Sequence, residues 1–280
     1  MTDKKHSLFM VTLLCLPACQ DTSWIAHIRE ATVSKKSGQF SAVDKGGNPV
    51  TLEWHIFNLL SPECAQSMAS VWEVAAQAYV PVEVQFLRAF PEVVGAEPYF
   101  KPFEPLFAHD VESVDWRQAQ QVMQSLLKNS FVYDLTTLPA EVTAQFAQDL
   151  CVFVTVKDTQ AGTLLGFMTF MIRPDYAFGT VKVYTAGVVP VAHNRGLGKL
   201  LMSSIFRIIP TVKHIFLCTR VTNENALRAY RAWGFVHDPC PASDASHEFN
   251  LNHWTFMNYQ AESRDGLQKV AATMVENNNI

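Results

Sequence analysis

The stretch Gly187-Val188-Val189-Pro190-Val191-Ala192-His193-Asn194-Arg195-Gly196-Leu197-Gly198-Lys199-Leu200-Leu201 has the residue types of an anion-binding turn. An apolar run leaves a strand there, turns through small and polar residues, and enters a helix at two glycines. A helix start exposes unpaired amide N–H groups and the positive end of the helix dipole. Glycine at 196 and 198 lets that backbone approach a phosphate without interference from a Cβ. The amides of residues 193–198 are thus suited to wrap a pyrophosphate, with Arg195 or Lys199 adding charge. The same glycines would serve a plain strand-to-helix turn. The pattern is neither a G-x-x-x-x-G-K-[ST] loop nor a three-glycine dinucleotide fingerprint. By itself, then, this loop points to an anion and no further.

One strand later comes Thr222-Asn223-Glu224-Asn225-Ala226-Leu227-Arg228-Ala229-Tyr230-Arg231-Ala232-Trp233-Gly234-Phe235. Asn223 reads as a helix N-cap, Ala226, Leu227 and Tyr230 share a face, and Gly234 closes the helix in a left-handed cap. Read alone, this is an amphipathic helix with a core tyrosine. A phenol titrates near pH ~10, so Tyr230 is also able to protonate a basic leaving group.

Together the two motifs resemble the GNAT superfamily of N-acetyltransferases. That family's acetyl-CoA motif, V-x-P followed three residues on by [QR]-x-x-G-x-[GA], reads here as Val188-Val189-Pro190 and then His193 to Gly198. The next motif, N-x-x-A-x-x-x-Y-x-x-x-G-F, is matched at Asn223, Ala226, Tyr230, Gly234 and Phe235. His193 departs from the usual Gln or Arg, at a position whose contribution in the family is largely made by the backbone. The resemblance covers roughly residues 50–260, strongly over 180–236 and elsewhere only by pattern.

The resemblance implies an α/β (α+β) fold of the GNAT acyl-CoA N-acyltransferase type, with a central mixed, mostly antiparallel sheet flanked by helices. In such a domain the fourth strand splays from the fifth, and the pantetheine of CoA lies in the gap. Acetyl-CoA is implied as co-substrate, held by Val188, Val189, His193, Asn194, Arg195, Gly196, Leu197, Gly198, Lys199 and Asn223; no metal is implied. The main chain around Val188 would pair with the pantetheine and polarise the thioester carbonyl. A primary amine of a small molecule or peptide would attack directly, aided by proximity, while Tyr230 acts as general acid toward the departing thiolate. The base stays open. Glu53 and His55 share one face of a strand, Asp175 and Tyr184 lie nearer the cleft in sequence, and His109, His247 and His253 are further candidates. A homodimer is compatible with this reading. The competing one is a non-catalytic acyl-CoA-binding or interaction module, envelope-anchored through Cys19. Retention of Tyr230 and both glycines argues against it, since a module that only bound CoA would not need the acid.

The elements that must position these residues follow from periodicity and breakers. Gly38 and Gly46-Gly47-Asn48-Pro49 set off an N-terminal extension, 1–49, from a domain over 50–260. Thr51–Leu60 alternates as a strand, and Ser61-Pro62-Glu63 opens a helix that runs to about Tyr79 and ends at Pro81. An insertion at 81–113 holds Pro81, Pro91, Pro98, Pro102 and Pro105 among Phe86, Phe90, Tyr99, Phe100, Phe103 and Phe107. Such proline density predicts broken structure, with aromatics that either line a substrate cleft or fasten a loop to the core. Helices are expected over Val114–Leu127 and Ala140–Gln148. Strands are expected over Leu150–Val156, Leu164–Ile172 and Val181–Val189, then a helix over Gly196–Ile209 and a strand over Lys213–Thr219. After the helix Glu224–Trp233 come strands at Phe235–His237 and His247–Tyr259. Residues 261–280 read as a polar tail.

Bulk properties narrow the classes. The 280 residues are 49% hydrophobic and 17% charged, which suits a globular chain with a sizeable core. A net charge of −4 with scattered Lys and Arg excludes a nucleic-acid binder. Cys15, Cys19, Cys64, Cys151, Cys218 and Cys240 form no C-x-x-C pair and read as reduced thiols. Lys4-Lys5, the apolar run Leu8–Leu16 and Pro17-Ala18-Cys19 have the look of a bacterial lipoprotein signal, a segment too short to span a bilayer. Pro17 suits such a cleavage site poorly and CoA is a cytoplasmic supply, so the expectation is a cytoplasmic protein with a buried N-terminal element.

Overall fold

A computed structural model describes residues 36–107, 111–131, 149–173, 176–238, 252–261 and 266–277. The signal-like segment 4–19, the helix expected over 140–148, Cys15, Cys19, Cys240, His109, Asp175 and His247 lie outside these residues. Among the described residues, no helix is long and apolar enough to cross a membrane.

The chain forms β1 (Ser37–Val43), β2 (Pro49–Asn58), α1 (Pro62–Ser70), α2 (Trp72–Ala89), α3 (Trp116–Phe131), β3 (Leu150–Asp158), β4 (Leu164–Ile172), β5 (Thr180–Val188), α4 (Leu197–Ile208), β6 (His214–Arg220), α5 (Glu224–Ala232), β7 (Val236–His237), β8 (Trp254–Gln260), α6 (Leu267–Ala272) and β9 (Val275–Glu276). The strands make one sheet in the order β7-β8-β6-β5-β4-β3-β2-β1-β9. Every pairing is antiparallel except β5 with β6. The mixed, mostly antiparallel α+β architecture expected from the motifs is therefore present.

The strands β3 and β4 are buried at nearly every position, as apolar runs must be when helices cover both faces. The helices α2 and α4 both pack on β4. The outer strand β2 alternates instead: Val50, Leu52, Trp54 and Ile56 are buried, with Glu53 and His55 on the opposite face. There Glu53 pairs with Lys157, and the His55 ring stacks on Phe57.

Three segments differ from the sequence expectation. The first is α2, which continues through Pro81 to Ala89. Pro81 and Gln77, whose carbonyl loses its helical donor, are both exposed, and the turns beyond bury Val84, Phe86 and Leu87. Packing outweighs the local penalty of one missing hydrogen bond.

The second is the proline-rich stretch, which is ordered: Pro98–Leu106 is a 3₁₀ helix whose three-residue repeat aligns Phe100 and Phe103, both fully buried. Of the two roles open for its aromatics, these two serve the core. The third is the segment read as a polar tail. Leu267 and Ala271 of α6 and Met274 after it are buried, α6 packs on α4, and β9 extends the sheet beyond β1. Here the apolar residues are few but spaced for one helix face. The strand β1, expected within a separate extension, likewise pairs along β2.

Candidate active site

The strands β5 and β6 start side by side and then part. Their parallel pairing covers only Thr180–Lys182 against His214–Phe216, whereas β5 stays on β4 to Val188. A bulge at Tyr184, where Thr169 faces Thr185 but Phe170 faces Val183, bends β5 at the point of divergence. The Val189 N–H donates to the Leu165 carbonyl at 2.9 Å, which fixes the phase of the ladder. By that phase the peptide groups of Ala186 and Val188 point away from β4 and into the gap.

The gap leads to the loop. After one 3₁₀ turn, Pro190–Ala192, the chain adopts positive φ at Asn194 (63°) and at Gly196 (79°), and Gly196 starts α4 without a side-chain cap. The first helical bond runs from Leu200 N–H to Gly196 C=O. Of the amides expected to wrap an anion, those of His193 and Arg195 donate within the loop, to Pro190 and Ala192. The N–H groups of Asn194, Gly196, Leu197, Gly198 and Lys199 have no hydrogen-bond acceptor among the described residues. This helix start has the donors and dipole that an anion requires. Gly198 has a second duty: a Cβ there would come within 3.1 Å of the Trp233 ring. The His193 ring lies over the strand end, with Nε2 3.1 Å from the Val188 carbonyl.

Arg195 is committed elsewhere. Its Nε donates to the buried Asp44 carboxylate at 2.6 Å, its Nη2 is 3.9 Å from Asp158, and its carbonyl accepts the Lys45 N–H. Asp44 also accepts from Gly46 N–H, Asn48 N–H and the Asn48 side chain. The β1–β2 hairpin thus grips the loop, leaving Lys199 as the loop's less engaged cation. Burial opposes the charge on Asp44, but the bonds from Asn48, Arg195 and Gly46 prevail and hold its carboxyl down at about 2. A depressed carboxyl stabilises the fold above its unfolded pKa, near ~4, and loses that contribution as pH falls toward 2. Asp44→Asn is therefore expected to lower the melting temperature at pH 7, with the gap from wild type shrinking between pH ~4 and ~2. Thermal unfolding across that window measures it; a gap that stays constant would show that the Asp44 charge does not matter.

On the far side of the gap, Asn223 caps α5 through Ala226 N–H (3.3 Å) and ties it to Thr219 of β6 (3.1 Å). Tyr230 packs edge-on against Trp233 and tilted against Phe235, and Gly234 takes φ 98°. Burial, helped by the nearby Cys218 thiol, pushes the Tyr230 phenol up to about 12.

One residue of the site is absent from the sequence reading. The hydroxyl of Tyr79, on α2, donates to the Ala186 carbonyl at 2.9 Å and accepts the Ala186 N–H at 2.8 Å. Burial raises its phenol strongly, and Tyr230, Glu83 and Cys218 lie near enough to add to the effect. Gly187 makes the approach of α2 possible, since a Cβ there would meet Ala78 Cβ at 2.9 Å and the Phe167 ring at 3.0 Å. Tyr79 reads in sequence as a core position; the available signal is that a buried Tyr needs a partner for its hydroxyl. Of the candidate bases, Tyr184 sits at the bulge and His253 pairs with Glu97 at 3.0 Å between Phe86 and Phe90.

The acetyltransferase (GNAT) family matches residues 120–235. No curated protein matches the chain. Among solved structures, nourseothricin acetyltransferase is 21% identical over 39% of this chain and 65% of that one, with a TM-score of 0.31. The PaiA N-acetyltransferase of Thermoplasma acidophilum, solved with coenzyme A, is 16% identical over 74% of this chain and 98% of that one, with a TM-score of 0.36. The ribosomal-protein-S18-alanine N-acetyltransferase of Escherichia coli is 18% identical over 40% and 69%, at 0.30. The matched segment contains the splayed strands, the uncapped helix start and Tyr230, and over that segment the chain is similar to the acetyltransferase (GNAT) family.

Proposed function

We propose that the protein moves an acetyl group from acetyl-CoA to a primary amine of a small molecule or peptide. The observation that carries this reading is the continuity of three features. An uncapped helix start, whose amides lack acceptors among the described residues, leads into a gap faced by the Val188 and Ala186 peptides, and Tyr230 lies near enough to Tyr79, bound at Ala186, to act on its ionisation. The amides of Asn194, Gly196, Leu197, Gly198 and Lys199 suit the pyrophosphate, and Lys199 supplies the charge that Arg195 gives to Asp44. Val188 N–H, directed into the gap, suits an amide of the pantetheine arm.

The acceptor nitrogen forms its bond to the thioester carbon as the carbon–sulfur bond breaks. Tyr230 gives its phenolic proton to the leaving thiolate, and the proton lost from the amine restores the phenol through solvent. The chain contributes orientation, hydrogen-bond donors aimed at the carbonyl oxygen, and the proton.

The test is thermal stability with and without acetyl-CoA, joined to thiol release over a panel of amines. Acetyl-CoA at about 100 times its Kd is expected to stabilise the fold by roughly 2.7 kcal/mol, and at least one amine is expected to release thiol. Stabilisation without turnover on any amine would favour a binding module. No stabilisation would remove both readings.

A further inference from the structure

Where β5 and β6 part, no strand among the described residues pairs with β5 on that side, and a side chain from α2 takes the place of one. The Tyr79 hydroxyl contacts both polar groups of the Ala186 peptide, donating to one and accepting from the other, as a neighbouring strand would. It sits one two-residue repeat, about 6.6 Å along the strand, deeper in the gap than Val188. The last amide of a pantetheine arm and its thioester are separated by only a few bonds. A donor paired at Val188 therefore brings its carbonyl to the level of Ala186, where the first group it meets is the Tyr79 hydroxyl. Tyr230 and Cys218 lie near enough to Tyr79 to act on its ionisation.

We propose that Tyr79 is a further acyl-transfer residue, whose hydroxyl, carried on the Ala186 peptide, donates a hydrogen bond to the thioester carbonyl oxygen of the acyl donor. The inference rests on the acyl-CoA reading of the gap. A phenol has one proton and two lone pairs. Rotation about its C–O bond moves the proton from the Ala186 carbonyl to the incoming oxygen, while Ala186 N–H continues to donate to the hydroxyl. That chain of donors polarises the O–H, and a bond to an oxygen gaining negative charge is shorter and stronger than one to a neutral carbonyl. No proton is transferred from Tyr79. The hydroxyl stabilises charge on the carbonyl oxygen while the carbon–nitrogen bond forms, and returns to Ala186 once the carbon–sulfur bond has broken and Tyr230 has protonated the thiolate. Tyr79 lies outside the segment that matches the family, and Gly187 supplies the close helix approach that delivers it.

The experiment compares binding of acetyl-CoA with that of S-ethyl-CoA, a thioether that lacks the carbonyl, to wild type and to Tyr79→Phe by calorimetry, together with acetyl transfer to an accepted amine. Wild type is expected to favour acetyl-CoA by about 3- to 10-fold. Tyr79→Phe is expected to bind the two ligands within about twofold of each other, to keep its affinity for S-ethyl-CoA, and to lose about 10- to 100-fold in kcat with little change in KM. Equal affinities in wild type, or a preference that survives in Tyr79→Phe, would overturn the proposal. So would an equal loss of affinity for both ligands, which marks a purely structural contact. If Tyr79→Phe fails to fold, Tyr79→His, which retains a ring donor, decides: a kept preference for acetyl-CoA supports the proposal and its loss overturns it. Binding of neither ligand by wild type would instead remove the acyl-CoA reading itself.

Discussion

Replacing Tyr230 with Phe is expected to slow thiol release by roughly 100- to 1000-fold, within the range for loss of a positioned general acid, while acetyl-CoA affinity stays within about threefold. The variant keeps the ring, and with it the packing on Trp233 and Phe235; only the hydroxyl is lost. The pH profile separates the acid role from a packing role. Tyr230 must be protonated to act, and with its phenol at about 12 its own ionisation cannot lower kcat below pH ~11. An acid with so high a pKa is a reluctant donor. However, the burial that raises the phenol also raises a thiolate formed beside it, so the two remain matched. Stopped-flow thiol release and calorimetric binding on the same preparations check both halves. A fall in affinity that parallels the fall in kcat would make Tyr230 a structural residue.

The helix start at Gly196 and the capped helix that carries Tyr230 were legible in the sequence because their information is local. Gly196 and Gly198 stand two residues apart, and Asn223, Tyr230, Gly234 and Phe235 fall within one helix and its cap, so spacing alone places them. What was not legible depends on contacts distant in sequence. Asp44 meets Arg195 across 151 positions and Tyr79 meets Ala186 across 107. No periodicity announces that the charge of Arg195 is committed to a hairpin, or that a tyrosine on an apolar helix face finds its partner on a strand edge. The misread of Pro81 has the same origin. Its local rule is sound, but the turns beyond it are held by burial of Phe86 and Leu87. In the tail, a polar composition concealed the few residues that dock α6 on α4.

The largest expected loss of stability lies in the tie between α2 and the end of β6, where Arg220 and Glu83 are buried together. Arg220 Nε and Nη2 donate to the Glu83 carboxylate at 3.0 and 2.9 Å, and the guanidinium lies 4.0 Å from the ring centres of both Phe86 and Trp254. Its Nη1 has no hydrogen-bond partner among the described residues, so the aromatic faces are its main compensation. Arg220→Leu removes that cation and leaves a carboxylate enclosed without a partner, for an expected loss of about 3–5 kcal/mol. Replacing both residues with Leu removes the uncompensated charge along with the pair. Much of the loss should then be recovered, because the desolvation of both ions is relieved. Urea unfolding of wild type, both single variants and the double variant completes the cycle. A double variant as unstable as Arg220→Leu would show that ring packing rather than charge pairing holds the junction. The outcome bears on catalysis as well, since Glu83 lies one helical turn beyond Tyr79 on the same face of α2. The ion pair holds α2 against β6 while Tyr79 holds it against β5, so the helix bridges the two strands at the point where they part. If that is its role, the double variant, though restored in stability, should still transfer acetyl groups more slowly than wild type, because the tie of α2 to β6 is then gone and only that of Tyr79 to β5 remains.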